Sequence, residues 1–168
     1  MNGDAPVLHQ QNRPDAPPPE GPVPAVLGGA EAVLARLAGA RVLVVEDDDD
    51  SREFICALLR MAGATVLCVA SVAKAMDGVC RSFDPDVVLT DFAMPDADGL
   101  DLIREFRKAP STRAVAVPIL VLSGHSEEKW RARALEAGAA DVLTKPFDPP
   151  LLLTRIAAAL ASGRSGPH

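Results

Sequence analysis

The chain has 168 residues, and 48% of them are hydrophobic, which suits one ordinary domain with a real core and is too little for two full domains. Its formal net charge of −6 argues against a protein that coats phosphate backbones, since non-specific nucleic-acid binding needs a basic face. Charges or prolines interrupt every apolar run before the roughly 18 residues of a membrane span, so we expect no membrane segment.

The amino-terminal segment, residues 1–29, is rich in proline, with Pro17, Pro18 and Pro19 at its centre. It has few large apolar groups to offset ordering entropy, so we predict a disordered tail, with a short polyproline docking motif as the alternative. It lacks the basic and apolar regions of an export signal, and we therefore expect a cytoplasmic protein.

Residues 30–40 are predicted to contain a short extra helix. Val33, Leu34 and Leu37 share one stripe of it, and Gly39 follows as a stop signal. This helix would lead directly into the main domain.

From residue 41 to residue 161 the pattern alternates strand and helix five times, which indicates a doubly wound α/β domain. The apolar run of Val87, Val88 and Leu89 has no polar alternation, as expected for a parallel strand covered on both faces. We predict residues 162–168 to be a flexible carboxyl terminus. Strands are predicted at 41–46, 65–69, 86–90, 117–122 and 141–144, and helices at about 50–62, 72–82, 100–108, 127–137 and from 149 onward.

In the first of these helices, one of Asp48, Asp49 and Asp50 can serve as the amino-terminal cap. We predict that the following apolar residues face the core. They are Phe54, Ile55, Leu58, Leu59 and Ala62.

The three cysteines, Cys56, Cys68 and Cys80, lie far apart in apolar segments. We predict that they are reduced core residues without a metal or redox role.

Polar residues follow four of the predicted strands. Glu46 and Asp47 end the first strand, Asp91 the third, Ser123 the fourth and Lys145 the fifth. Parallel strands bring their carboxyl ends to one edge of the sheet, where ligand sites of such folds lie. Taken singly, each residue could be a solvated turn residue, but their joint occurrence at one edge predicts a shared pocket.

The three carboxylates of Glu46, Asp47 and Asp91 would repel one another, and crowding of this kind implies a bound cation. Oxygen ligands with few protein groups fit Mg²⁺ better than Ca²⁺ or zinc. His125, a lone histidine nearby, is not a credible metal ligand.

Four motifs lie at these strand ends: Glu46-Asp47 after Val44-Val45, Asp91-Phe-Ala-Met-Pro-Asp-Ala-Asp-Gly99, Ser123-Gly124 and Lys145-Pro146-Phe147. Together they resemble the receiver domains of two-component response regulators, over Arg41 to about Leu160. The resemblance implies a flavodoxin-like sheet of order 2-1-3-4-5 and phosphorylation of Asp91. It also implies that the carbonyl group of Ala93 joins the Mg²⁺ ligands and that the Lys145-Pro146 bond is cis.

In this interpretation Asp91 is the nucleophile, and Lys145 and Ser123 contact the transferred phosphoryl group. Ala93 and His125 would flank the path of the water that removes it. Many receivers carry a switching Tyr or Phe where this chain has Val142, so we place the switch in the loop after Ser123 and at the start of the helix that carries Trp130.

The resemblance further implies that the phosphoryl donor is a histidine kinase or a phosphotransfer protein, and that an unknown downstream protein reads the signal. We expect a stand-alone receiver that is no enzyme beyond its own phosphorylation and dephosphorylation, with no direct nucleic-acid binding. The alternatives are a constitutive adaptor with vestigial phosphorylation, a receiver fragment of a larger regulator, and a small Mg²⁺-dependent hydrolase.

Overall fold

The computed structural model describes residues 29–109, 116–125 and 128–163. The predicted tail, apart from Gly29, and the last five residues lie outside these ranges. Within them, no helix combines the length and the apolar character that crossing a membrane requires.

Five parallel strands form one sheet in the order β2-β1-β3-β4-β5, which confirms the predicted topology. Every strand lies within two residues of its predicted position. The strands are β1 (Arg41–Val45), β2 (Thr65–Val69), β3 (Val87–Asp91), β4 (Ile119–Ser123) and β5 (Asp141–Thr144).

Helices cover both faces of the sheet, which is why the central strands are apolar on both sides. The side chains of Val42 and Val44 pack with α1, α2 and α6, while Leu43 and Val45 pack with α3, α4 and α5. The helices are α1 (Ala30–Leu37), α2 (Asp49–Met61), α3 (Val72–Arg81), α4 (Gly99–Lys108), α5 (Glu128–Glu136) and α6 (Pro149–Gly163).

The extra helix α1 packs against α6, with Leu37 fully buried. It ends at Leu37. Gly39, two residues later, has φ of +73°, a conformation that favours glycine, and its N–H donates to the carbonyl oxygen of Gly63 at 2.8 Å. At the other end of the domain, α6 continues through Gly163, two residues past the predicted boundary.

Helix α2 begins as predicted but buries a narrower face. Asp48 is its cap and accepts a hydrogen bond from the Ser51 N–H at 2.8 Å. Phe54 was predicted to face the core, and this is wrong, because 52% of the residue is exposed. The buried arc of the helix is centred on Ile55 and Leu59, so Phe54 falls at its edge.

The prediction of reduced cysteines is also wrong for Cys56 and Cys68, which form a disulfide bond between α2 and β2. Helix α2 folds back along the edge strand, and this places the two Cα atoms 6.5 Å apart. The cysteines lie only 12 residues apart in sequence, but neither spacing nor composition showed that helix and strand would bring them together.

Candidate functional site

The carboxyl ends of four strands bring the predicted site residues to one edge of the sheet. Asp91 is the last residue of β3 and Ser123 the last of β4, while Glu46 and Lys145 directly follow β1 and β5. Hydrogen bonds continue past the strand ends, since the Lys145 N–H donates to the Ser123 carbonyl oxygen at 2.7 Å and the Phe92 N–H to that of Leu122 at 2.7 Å. These bonds fix the backbone that carries the site.

Three carboxyl groups form the centre of the site. Glu46, Asp47 and Asp91 each offer one oxygen atom, and the three atoms lie within 4.8 Å of one another. Glu46 is only 1% exposed and Asp91 7%, whereas Asp47 is half-buried. The structure thus brings together the three acids that the sequence pattern singled out.

Lys145 reaches two of these acids at once. Its Nζ atom lies 2.6 Å from Glu46 Oε2 and 2.9 Å from Asp91 Oδ1. Sequence reasoning paired Lys145 with Asp91 alone and missed the shorter bond to Glu46, because the reach of a lysine from the end of β5 past β4 and β3 to the end of β1 has no signature in the sequence. The Lys145-Pro146 peptide bond is cis, as the resemblance implied.

Burial and charge act differently on the two partners of the shorter bond. Burial raises the pKa of the Glu46 carboxyl group; the bond to Lys145 opposes this shift, while the nearby charge of Asp91 adds to it. Burial lowers the pKa of the Lys145 ammonium group, but its bonds to Glu46 and Asp91 outweigh burial and raise it. The shared ammonium group of Lys145 is thus held in its charged form. Its bond to Glu46 does not fully offset the effect of burial on the pKa of that carboxyl group.

This charge balance fits an additional cation. When ionised, Glu46, Asp47 and Asp91 carry three negative charges, and Lys145 neutralises only one of them. All three acids offer oxygen atoms, the ligands that Mg²⁺ prefers. The described residues therefore suit a hard divalent ion at this edge of the sheet.

The loop after Asp91 returns closely to the strand end. Gly99 donates its N–H to the Phe92 carbonyl oxygen at 2.9 Å, and a Cβ atom at this position would lie 2.7 Å from the carbonyl oxygen of Asp91. Asp98 caps α4 in a reciprocal pair with Asp101. A glycine at position 99 therefore allows the loop to close over the strand.

Ser123 and Ala93 occupy the flanks of the site. The buried Ser123 hydroxyl accepts a hydrogen bond from the His125 N–H at 3.0 Å and lies 3.3 Å from the His125 carbonyl oxygen. Ala93 is exposed two residues past Asp91. The Ser123 hydroxyl group is thus engaged within its own loop, and that loop leads to α5.

A cluster of rings connects this loop to α5. Trp130 contacts Phe92 edge-on and stacks on His125, each with a centroid distance of 5.3 Å. Lys129 and Arg133 lie 5.5 and 4.9 Å from the Trp130 ring. Sequence reasoning singled out Trp130 and His125 but missed Phe92, although its position directly after Asp91 was a usable signal.

Val142, at the position where many receivers carry a ring, is partly buried on the same side of the sheet as Trp130. The ring cluster therefore comes from the residue after β3, the loop after β4 and α5.

Comparison with known proteins identifies the domain. Residues 42–157 match the response regulator receiver domain family. The phosphate regulon transcriptional regulatory protein PhoB of Escherichia coli is 34% identical over 120 residues, which cover 71% of this chain and 51% of that protein. The chain spans about half the length of the curated transcriptional regulators that it matches.

Solved structures agree with this assignment. The chemotaxis response regulator CheY4 of Vibrio cholerae superposes with a TM-score of 0.67 at 26% identity, covering 73% of this chain and 99% of that one. The receiver domain of a sensor histidine kinase of Pseudomonas aeruginosa PAO1, with a magnesium ion coordinated in its active site cleft, gives a TM-score of 0.66 at 31% identity and covers 74% and 99%.

Proposed function

Because the chain belongs to the response regulator receiver domain family, we propose that it accepts a phosphoryl group on Asp91, with Mg²⁺ held by Glu46, Asp47 and Asp91 and by the carbonyl group of Ala93. The observation that carries this proposal is the contact of one lysine with two members of a three-carboxylate cluster at the end of β3.

In the proposed step, a carboxylate oxygen of Asp91 attacks the phosphorus atom of the donor, and the bond from phosphorus to the donor breaks as the new acyl phosphate bond forms. Bound Mg²⁺ would neutralise charge that develops on the phosphoryl oxygens. Lys145, already 2.9 Å from Asp91, would donate to one of those oxygens. The Ser123 hydroxyl would leave its loop contacts and donate to another.

We propose a histidine kinase or a phosphotransfer protein as the donor, in keeping with the family. The signal would leave by phosphorylation-dependent docking to a downstream protein. The ring cluster of Phe92, His125 and Trp130 supports an output through α5, because it connects the residue after Asp91 and the Ser123 loop to that helix. We also propose that Ala93 and His125 govern the lifetime of the phosphoryl group.

The proposal is tested by incubating the full chain with acetyl phosphate and Mg²⁺ and measuring its intact mass. We expect the wild-type chain to gain the mass of one phosphoryl group when Mg²⁺ is present. We expect no gain when EDTA is added, and none in Asp91→Asn. Asp96→Asn is the matched control, since Asp96 is an exposed acid in the same loop and should leave the reaction unchanged. An Asp91→Asn protein that is phosphorylated at the wild-type rate would refute the site. A wild-type chain that binds Mg²⁺ but takes up no phosphoryl group would favour the constitutive adaptor.

A further inference from the structure

Arg52, in the first turn of α2, reaches back to the loop that carries the first two acids. Its Nη1 atom donates to the carbonyl oxygen of Glu46 at 2.9 Å and lies 3.3 Å from that of Asp47. The Arg52 side chain is only 22% exposed. A single guanidinium group therefore contacts two consecutive peptide groups, each belonging to a residue of the carboxylate cluster.

These two carbonyl groups lie just past the end of β1, where the ladder of the sheet no longer fixes the backbone. The Glu46 N–H still donates to the Val69 carbonyl oxygen at 3.1 Å, but β1 itself ends at Val45. Both contacts are partly buried. Carbonyl groups withdrawn from water need a donor, and a charged donor gives stronger hydrogen bonds than a neutral one. Arg52 supplies that donor at the point where the chain turns from strand to helix.

The guanidinium group is itself held in place. Its Nη2 atom pairs with Asp49 in the same helical turn. The helix in turn is fixed by the Asp48 cap, and the Arg52 N–H donates to the Asp48 carbonyl oxygen at 2.9 Å. Contacts within α2 and its cap therefore orient Arg52 towards the loop.

We infer that Arg52 is a positioning residue for the metal site, which holds the Glu46 and Asp47 carboxylates towards Asp91 by fixing the peptide groups that carry them. This inference rests on the proposed function and deepens it. In this role Arg52 is neither a metal ligand nor a contact of the phosphoryl group. It acts through the backbone of two proposed ligands, Glu46 and Asp47. Groups that orient ligands in this way commonly change metal affinity by about 10- to 100-fold when they are removed.

A purely electrostatic role of Arg52 predicts a change in Mg²⁺ affinity of the opposite sign. Removing a positive charge near three carboxylates would strengthen Mg²⁺ binding, whereas loosening two ligands would weaken it. The sign of the change in Arg52→Ala therefore separates positioning from charge.

The test is a Mg²⁺ titration of the full chain at fixed ionic strength, followed by amide chemical shifts in two-dimensional NMR. We expect the Mg²⁺ dissociation constant of Arg52→Ala to rise about tenfold or more. We also expect the Mg²⁺ concentration for half-maximal phosphorylation by acetyl phosphate to rise similarly, while the limiting rate at saturating Mg²⁺ stays near wild type. Arg104→Ala is the matched control, because Arg104 forms the same type of Asp-Arg pair, with Asp101, on α4.

An Arg52→Ala dissociation constant equal to or below that of wild type overturns the inference. If Arg52→Ala does not fold at the working temperature, Arg52→Lys replaces it. Mg²⁺ binding that is at least threefold weaker in Arg52→Lys supports the role of the two carbonyl contacts. Unchanged Mg²⁺ binding overturns it. Failure of the proposed function has another signature, since the wild-type chain itself would then bind no Mg²⁺ or accept no phosphoryl group.

Discussion

The two sides of the sheet differ in how completely their side chains are buried. On the side of α1, α2 and α6, the described apolar cluster has 19 buried and six partly buried members. On the side of α3, α4 and α5, it has 14 buried and 11 partly buried members, among them Trp130 and Val142. The first side also carries the extra helix and the disulfide bond.

This difference divides the site into two halves. Glu46 and Lys145 lead into α2 and α6, on the side whose apolar side chains are more completely buried. The Ser123 loop and the Phe92 ring lead to α5, on the side with more partly buried side chains. Regions with fewer buried contacts open and rearrange at lower cost, and we therefore propose that phosphorylation changes the α5 side and leaves the other in place.

The largest expected effect is on stability. Ile156→Ala, at a fully buried position in α6, should lower the free energy of unfolding by about 2–5 kcal/mol, because it leaves a cavity in close packing. Trp130→Ala on the partly buried α5 side should cost clearly less despite the larger side chain. Urea denaturation of both variants checks this, and an equal or greater loss for Trp130→Ala would mean that the two sides are packed alike.

A smaller loss of stability is expected at the loop that follows β3. Gly99→Ala would place a methyl group 2.7 Å from the Asp91 carbonyl oxygen, so the backbone must shift. We expect a loss of about 1–3 kcal/mol and slower phosphorylation of Asp91. Gly29→Ala is the control, since a Cβ atom there has no neighbour within 4 Å and the position lies outside the proposed site. Normal phosphorylation kinetics in Gly99→Ala would show that the loop tolerates the shift.

The charged half of the site predicts a pH effect in metal-free protein. The pKa of Glu46 is raised in the folded state, so its stabilising contribution is complete below the ordinary value of 4.5 and is lost as pH rises through the raised value. Wild type should therefore lose stability relative to Glu46→Gln as the pH rises above 4.5 in EDTA. Thermal unfolding of both proteins across that range measures the difference, and a difference independent of pH would contradict the assignment.

The smallest effect is predicted for the amino-terminal segment. Deleting residues 1–29, which we propose to be a tail outside the receiver domain, should leave the melting temperature unchanged. Deleting residues 1–38 should lower it, because this removes the fully buried Leu37. If the shorter deletion lowered the melting temperature by several degrees, the tail would be packed and the boundary misplaced.

The parts of the fold that follow from chain-local patterns could be predicted from the sequence. The apolar strands, and the polar residues Glu46, Asp91 and Lys145 at their ends, predicted both the edge of the sheet and the side chains that meet there. Contacts between elements left no such pattern. The Cys56 disulfide depends on how α2 lies along β2, and the reach of Arg52 to two carbonyl groups depends on the turn between β1 and α2.

The exposure of Phe54 shows a related limit. A stripe of apolar residues gives the direction of the buried face but not its width, which is set by the neighbouring elements. The neighbours of Phe54 are Pro146 and Phe147, which follow β5. Phe54 lines a surface cavity with them instead of entering the core.

The most direct test of the account is a titration of the full chain with beryllofluoride and Mg²⁺, a mimic of the phosphoryl group, followed by two-dimensional NMR. We predict saturable shifts of the Trp130 indole N–H and the α5 amides, smaller shifts in α1 and α6, and loss of the α5 response in Ser123→Ala. Saturation of the site, as seen at the Asp91 and Phe92 amides, with no change in α5 would contradict the account, and so would equal changes on both sides of the sheet.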